Sequence, residues 1–193
     1  MSNSISALHL IDSNGIVVVK SHQPINKMKI KILLLVAVLF SASFLSAQNT
    51  TKLPSIEVTK LDGEKVDIST LVGNGKIVVI NFWATWCVPC KKELTNINEM
   101  YEEWQKKYGV EIIAVSIDDS KNTQKVKTTV DGAGWTYTVL LDPNQDLKRA
   151  LNFQAPPYSL VIDKDGNIVD THAGYVDGDE FLLEEKLKEL AAK

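Results

Sequence analysis

Short apolar runs separated by polar segments predict strands and helices that alternate along the chain. An almost unbroken apolar run at 77–82 is typical of a buried central strand. After it, apolar residues recur at helical spacing, which predicts a helix that begins at the first cysteine and ends near Lys107, before Gly109. Further strands are predicted at 110–117, 137–141, 159–163 and 167–173, and further helices at 121–130, 145–151 and 180–190.

Turn signals add two hairpins to this order. The pair Asp62-Gly63 separates segments 56–59 and 64–68 and predicts an N-terminal hairpin, and Asp165-Gly166 joins the last two predicted strands as an antiparallel pair. Strand, helix and strand followed by a hairpin and a helix predict an α/β domain with a central mixed sheet flanked by helices.

The first 47 residues have a different character. Basic residues at 29 and 31, an apolar run at 32–40 and a small-residue end at Ala47 predict a signal peptide over 28–47. The run is shorter than the ~20 residues that a spanning helix prefers. We expect cleavage after Ala47, with N-terminal membrane anchoring as the alternative. Residues 1–27 are interpreted as a mis-assigned, disordered upstream extension, with translation starting at Met28.

Residues 48–193 are then predicted to form one acidic domain. The whole chain is 45% hydrophobic and 23% charged, which fits a globular protein. Positions 1–47 carry four lysines and one aspartate, so 17 basic and 23 acidic side chains remain, a net charge of −6. An acidic surface argues against a nucleic-acid partner.

The chain has two cysteines, Cys87 and Cys90, in the sequence Trp86-Cys87-Val88-Pro89-Cys90. A sulfur at a helix N-terminus is stabilised as thiolate, which lowers its pKa and makes Cys87 the predicted nucleophile. Cys90 lies one turn further on and is the predicted resolving thiol. Pro89 suits a first helical turn because it has no N–H to lose there. We expect Trp86 to be an exposed partner contact and Trp83 to be core.

A cysteine pair at this spacing has other uses. A structural zinc site needs about four ligands, and apart from the pair the chain has only His9, His22 and His172 as histidine or cysteine ligands. A static disulfide closing so small a loop would remove little chain entropy. A non-catalytic module that binds a soft metal is a further alternative. His172 is interpreted as a structural or surface residue.

Residues 81–93 resemble the active-site segment of the thioredoxin superfamily, in particular its TlpA/ResA-like extracytoplasmic branch. Residues 155–163 resemble its second landmark, a cis-proline before a buried strand. The resemblance implies a thioredoxin-like fold with a central αβ insertion between 120 and 141. It also implies that Pro157 is the cis-proline and that Pro156 and Pro157 belong to the substrate groove.

Asn81 and Pro156 depart from the family pattern. Asn81 stands where cytoplasmic thioredoxins have a buried aspartate, and Glu93 matches a glutamate typical of the TlpA/ResA-like branch. Glu93 lies one turn beyond Cys90 on the same helical face. We expect burial to raise its pKa and allow proton exchange with Cys90. Pro156 lacks the N–H that relatives offer to a substrate peptide.

The resemblance implies an extracytoplasmic, periplasmic thiol-disulfide oxidoreductase without a cofactor. We expect it to act as a reductant of protein disulfides, for example in cytochrome c maturation, to receive electrons from a membrane donor and to be a monomer. A disulfide oxidase or isomerase is one alternative. A thiol peroxidase is another, although Ala84 replaces the threonine that peroxiredoxins carry three residues before their reactive cysteine.

Overall fold

The computed structural model describes residues 51–193. The predicted upstream extension and signal peptide lie outside the described residues. Within 51–193, no helix has both the length and the apolar composition that a membrane span requires. The strands are β1 Thr51–Lys52, β2 Glu57–Lys60, β3 Lys65–Asp67, β4 Ile77–Trp83, β5 Val110–Ser116, β6 Thr138–Leu141, β7 Tyr158–Ile162 and β8 Asn167–Ala173. The helices are α1 Val88–Tyr108, α2 Thr123–Ala133, α3 Asp146–Ala150 and α4 Asp179–Ala191.

The eight strands form one mixed sheet in the order β1-β8-β7-β4-β5-β6-β2-β3. The pairs β4–β5 and β5–β6 are parallel, and the others are antiparallel. The predicted mixed sheet, the N-terminal hairpin β2–β3 and the αβ insertion α2–β6 are therefore confirmed. The insertion extends the sheet, because β6 pairs with β5 on one side and with β2 on the other.

The core centres on β4, all seven of whose residues are buried. Helix α1 packs against β4, β5 and α4, and its buried side chains include Leu94, Ile97 and Trp104. Gly109 ends α1 with a left-handed backbone, φ 65°, and its N–H donates to the carbonyl of Gln105. That conformation is easily adopted by glycine, which explains why the predicted stop is correct.

Most predicted boundaries agree with the structure to within one residue, but α2 begins later than expected. Residues 121 and 122 form a turn, because Oδ1 of Asp119 accepts hydrogen bonds from the backbone N–H groups of Lys121 and Asn122. Helix α2 therefore begins at Thr123 and runs on to Ala133. The structure also contains the two-residue strand β1 and a 3₁₀ turn at Ile68–Leu71, neither of which the sequence pattern predicted.

The strand register brings three loops to one edge of the sheet. Trp83 lies opposite Ser116 in the parallel pair β4–β5, so the segments that follow these two residues leave the sheet together. Phe82 lies opposite Tyr158 in the antiparallel pair β4–β7, so the segment before Tyr158 reaches the same edge. The cysteines follow Trp83 at this edge.

Candidate active site

Cys87 and Cys90 form a disulfide at the start of α1, with their Cα atoms 5.4 Å apart. Cys87 is the N-cap residue of the helix, and its Sγ accepts the backbone N–H of Cys90 at 3.4 Å. The N–H of Cys87 donates to the carbonyl of Ala84 at 3.0 Å and closes the turn after β4. Pro89 lies in the first helical turn, where its missing N–H leaves no helical hydrogen bond unmade.

The surroundings of the disulfide are apolar and exposed on one side. Trp86 is 64% exposed and Val88 is 71% exposed, while Trp83 is fully buried, as predicted. Of the two cysteines, Cys87 keeps 4% of its surface exposed and Cys90 keeps none. An incoming thiolate or disulfide therefore has access to Cys87 and not to Cys90.

The peptide bond between Pro156 and Pro157 is cis, which confirms that expectation. Pro157 is buried and Pro156 is partly exposed. The carbonyl of Pro157 accepts the N–H of Gly174 at 2.8 Å. Register places this pair beside the end of β4, because the next residue, Tyr158, lies opposite Phe82. The two prolines and the disulfide loop thus share one edge of the sheet.

Glu93 is almost completely buried, with 7% of its surface exposed. Its Oε1 accepts a hydrogen bond of 2.9 Å from Nδ2 of Asn81. The pKa of Glu93 is raised to about 8, mainly by burial and also by the charges of Asp179 and Glu180, while the hydrogen bond from Asn81 acts in the lowering direction. The expected upward pKa shift is confirmed, and it gives Glu93 a titration close to neutral pH.

A cavity of about 90 Å³ lies next to Glu93, between α1, α4 and the strands β7 and β8. A water molecule needs only about 15 Å³ of such volume, so the cavity has room for several. Ser159, Asp170, His172 and Asp179 supply polar groups to its wall. His172 is exposed, and its Nε2 lies 3.2 Å from Oδ2 of Asp179. The cavity thus connects the buried carboxyl of Glu93 to polar groups of β7, β8 and α4.

Asp118 is a further site residue, which was not predicted from the sequence. It is buried, and its two carboxylate oxygens accept the backbone N–H of Thr85 at 2.8 Å and the hydroxyl of Thr85 at 2.7 Å. The hydroxyl of Ser116 donates a third hydrogen bond at 2.8 Å. Asp118 therefore fixes the turn that carries Trp86 and Cys87. The signal that could have identified it is an acidic residue directly after the buried strand predicted at 110–117.

A cluster of polar side chains, which was not predicted from the sequence, holds the loop before α4 against α1. Nδ2 of Asn96 donates to the hydroxyl of Tyr175 at 2.7 Å and to Oε1 of Glu180 at 3.1 Å, and Tyr175 donates to Oε2 of Glu180 at 2.8 Å. Lys92 pairs with Asp177 at 2.5 Å. Within 51–193, no three histidine, cysteine or acidic side chains are grouped as metal ligands would be.

A sheet of this topology with a Cys-X-X-Cys disulfide at the start of α1 and a cis-proline at the same edge defines a thioredoxin-like redox protein. The family model described as "AhpC/TSA family" matches residues 50–171, and the chain belongs to that family. Thiol-disulfide oxidoreductase ResA of Bacillus thuringiensis (strain Al Hakam) is 39% identical over 121 residues, which cover 63% of this chain and 67% of that protein. This protein is accordingly a thiol-disulfide oxidoreductase of the ResA/DsbE type.

Solved structures agree with this assignment. An uncharacterized thioredoxin-like protein from Porphyromonas gingivalis superposes with a TM-score of 0.66 at 45% identity, covering 75% of this chain and 95% of that one. A putative thiol:disulfide interchange protein DsbE from Chlorobium tepidum also gives a TM-score of 0.66, at 26% identity, covering 76% of this chain and 99% of that one. These similarities confirm the predicted thioredoxin-like fold.

Proposed function

We propose that this protein reduces protein disulfides outside the cytoplasm, with Cys87 as the attacking thiolate and Cys90 as the resolving thiol. The observation that carries this proposal is the position of Cys87 at the N-cap of α1, where its sulfur accepts the N–H of Cys90 and its surface is the only exposed part of the pair. Donors at a helix N-terminus stabilise a thiolate, so Cys87 is the nucleophile of the reduced pair. It is also the cysteine that an incoming substrate can reach.

The reaction proceeds in two exchanges that balance. In the first, the Cys87 thiolate attacks one sulfur of the substrate disulfide, a mixed disulfide forms, and the other substrate sulfur leaves as a thiolate. In the second, Cys90 loses its proton and attacks Sγ of Cys87, which releases the remaining substrate thiolate. Two electrons pass to the substrate, which ends as two thiols after protonation, and the protein ends with the Cys87–Cys90 disulfide.

Glu93 is the proposed proton acceptor for Cys90. The two residues are three apart on one face of α1 and both are buried. A carboxyl with a pKa of about 8 is close to the pKa range of a thiol, so a proton can pass between the two groups near neutral pH. The cavity next to Glu93 has room for water molecules, through which the carboxyl can exchange its proton with the polar groups of the cavity wall.

The proposed substrate surface consists of Trp86, Pro89, Pro156 and Pro157. Trp86 and Pro89 are exposed next to Cys87, and the cis-proline pair reaches the same edge of the sheet. Pro156 has no N–H, so a substrate strand beside it must take its backbone hydrogen bonds from other groups. We therefore expect side-chain contacts with Trp86 to contribute much of the affinity.

The periplasmic location remains a proposal that rests on the signal-like segment 28–47. N-terminal anchoring in the inner membrane, with the domain facing the periplasm, is the alternative. A membrane electron donor, a role in cytochrome c maturation and a monomeric state are proposed with it. A fusion of residues 1–47 to a reporter that is active only after export tests the location, and an inactive fusion would contradict it.

The reduction potential of the Cys87/Cys90 pair tests the direction of electron flow. The purified 48–193 domain is equilibrated in glutathione or dithiothreitol buffers of known potential, and the free thiols are trapped and counted. A potential near about −270 mV, as in thioredoxin, supports a reductant. A potential near about −120 mV, as in strong oxidants, would mean that the protein forms disulfides instead.

A further inference from the structure

A groove beside the disulfide loop lies between Trp86 and the insertion helix α2, with a volume of about 830 Å³. Thr85 and Trp86 form one wall. The α2 wall consists of Lys125 and four uncharged residues that carry amide or hydroxyl groups. An open groove of this size, in which every lining residue except Trp86 carries a hydroxyl, amide or ammonium group, suits an extended polypeptide better than a small apolar ligand, whose pockets are enclosed and apolar.

The groove is positive in an otherwise acidic domain. Residues 48–193 carry a net charge of −6, yet Lys125 is the one charged residue in the lining of this groove. Among the residues that the structure describes, no carboxylate pairs with Lys125, whereas Lys127 on the same helix pairs with Asp131 at 3.0 Å. Asp119, which precedes α2, directs its Oδ1 to the N–H groups of its own turn. The ammonium of Lys125 is therefore available to a partner.

Trp86 adds an apolar anchor at the end of the groove nearest Cys87. Its side chain is largely exposed, while Asp118 holds the backbone of the preceding residue, Thr85, through two hydrogen bonds. An exposed tryptophan on a fixed turn loses little conformational freedom when a partner covers it. Lys125, Thr128 and Thr129 lie three and four residues apart and share one face of α2.

We propose that this groove binds the polypeptide segment next to the reactive cysteine of the substrate, and that it selects a segment with an apolar residue against Trp86 and an acidic residue against Lys125. The inference rests on the proposed function and specifies its substrate class. It also differs from what the whole domain would favour, because a net charge of −6 attracts basic peptides at long range. Local and global charge therefore predict opposite preferences.

The test uses two synthetic peptides that differ only in the residues flanking one cysteine, aspartate in one and lysine in the other. Each cysteine is disulfide-linked to mercaptoethanol, which is neutral. The rate at which the reduced protein is oxidised is measured by acid quenching, thiol trapping and mass spectrometry. We expect the wild type to react about 3- to 5-fold faster with the acidic peptide, a difference that about 0.5 M salt removes.

Two charge reversals on the same helix locate the effect. Lys125→Glu is expected to reverse the preference so that the basic peptide reacts faster. Lys127→Glu makes the same change of charge, but Lys127 lies outside the groove lining, and the acidic preference should remain. Equal rates for the two peptides with the wild type, a preference for the basic peptide, or an equal effect of the two reversals would overturn the inference.

A neutral small disulfide separates this inference from the proposed function. Hydroxyethyl disulfide has no peptide segment to fill the groove, so its reduction by the wild type reports on the dithiol alone. If the wild type fails to reduce it, the proposed reductase chemistry is wrong. If the wild type reduces it but shows no acidic preference with the peptides, the chemistry stands and the assignment of the groove is wrong.

Discussion

The side-chain amide of Asn81 donates a hydrogen bond of 2.9 Å to the carboxyl of Glu93, and both side chains are buried. The pair thus sets a neutral amide on β4 against a carboxyl on α1. The hydrogen bond favours the charged form of Glu93, but burial outweighs it, so the pKa of Glu93 rises to about 8. Three consequences of this pair can be measured.

The first prediction concerns stability and pH. Glu93 has a pKa of about 8 in the folded protein against a usual value of 4.5, so the folded state holds a proton that the unfolded state has lost. The stability that this protonation contributes is fully present below pH 4.5 and is lost progressively as the pH rises toward about 8. Glu93→Gln stays neutral and should remove this loss.

Urea unfolding of the oxidised protein at about pH 5 and about pH 9 measures the effect, because the slope of stability with pH counts protons. We expect Glu93→Gln to gain stability relative to the wild type at the higher pH. Glu99→Gln on the exposed face of α1 is the matched control and should follow the wild type. If the two variants behave alike, Glu93 does not titrate as described.

A second prediction concerns the rate of the resolving step. Glu93→Gln cannot accept the proton of Cys90, so the decay of a preformed mixed disulfide on Cys87 should slow about 10-fold or more near neutral pH. The difference should shrink at high pH, where Cys90 loses its proton without help. A pH profile of single-turnover decay measures this, and a constant ratio of rates at every pH would contradict the role of Glu93.

The third prediction places a second carboxylate beside Glu93. In Asn81→Asp the new side chain would lie about where the amide now donates, at 2.9 Å from Oε1. Two buried carboxylates in contact cannot both ionise easily, so one of the pair gains a strongly raised pKa. The variant should lose stability with rising pH more steeply than the wild type. Asn144→Asp on an exposed loop is the control, and parallel curves for both would refute the coupling.

The fourth prediction concerns the turn before Cys87. Asp118→Ala removes the acceptor of three hydrogen bonds and leaves the N–H of Thr85 without its partner. A buried hydrogen bond to a charged group contributes about 1.5–3 kcal/mol, so we expect a loss of at least about 2 kcal/mol in the free energy of unfolding.

Its control is Asp131→Asn, which breaks an exposed ion pair with Lys127. Such pairs contribute about 0–1 kcal/mol, so chemical denaturation should hardly change. The reduction potential of Asp118→Ala should also shift, since the turn that carries Cys87 is no longer fixed. An unchanged potential together with unchanged stability would show that Asp118 does not hold the turn.

Residues whose surroundings are local were predicted well. Cys87, Pro89 and Cys90 follow a strand and begin a helix, and the expected burial of Glu93 follows from its place one turn beyond Cys90. The cis bond at Pro157 was expected from the resemblance alone, because nothing in the composition of a Pro-Pro pair fixes it.

The roles of Asp118 and Glu180 were not predicted, because their partners are distant in sequence. Asp118 lies 33 residues from Thr85, and Glu180 lies 84 residues from Asn96. Their contacts depend on the parallel register of β4 with β5 and on the packing of α4 against α1, which alternating strands and helices suggest only in outline. The cavity beside Glu93 is a product of the same packing.

Trapping the mixed disulfide tests the central claim most directly. Cys90→Ser leaves Cys87 free to attack but removes the resolving thiol, so incubation with a disulfide-bonded peptide should give a stable adduct on Cys87 that mass spectrometry identifies. Cys87→Ser leaves only a fully buried thiol and should give little adduct. Equal trapping by both variants, or adducts mainly in Cys87→Ser, would contradict the assignment of Cys87 as the nucleophile.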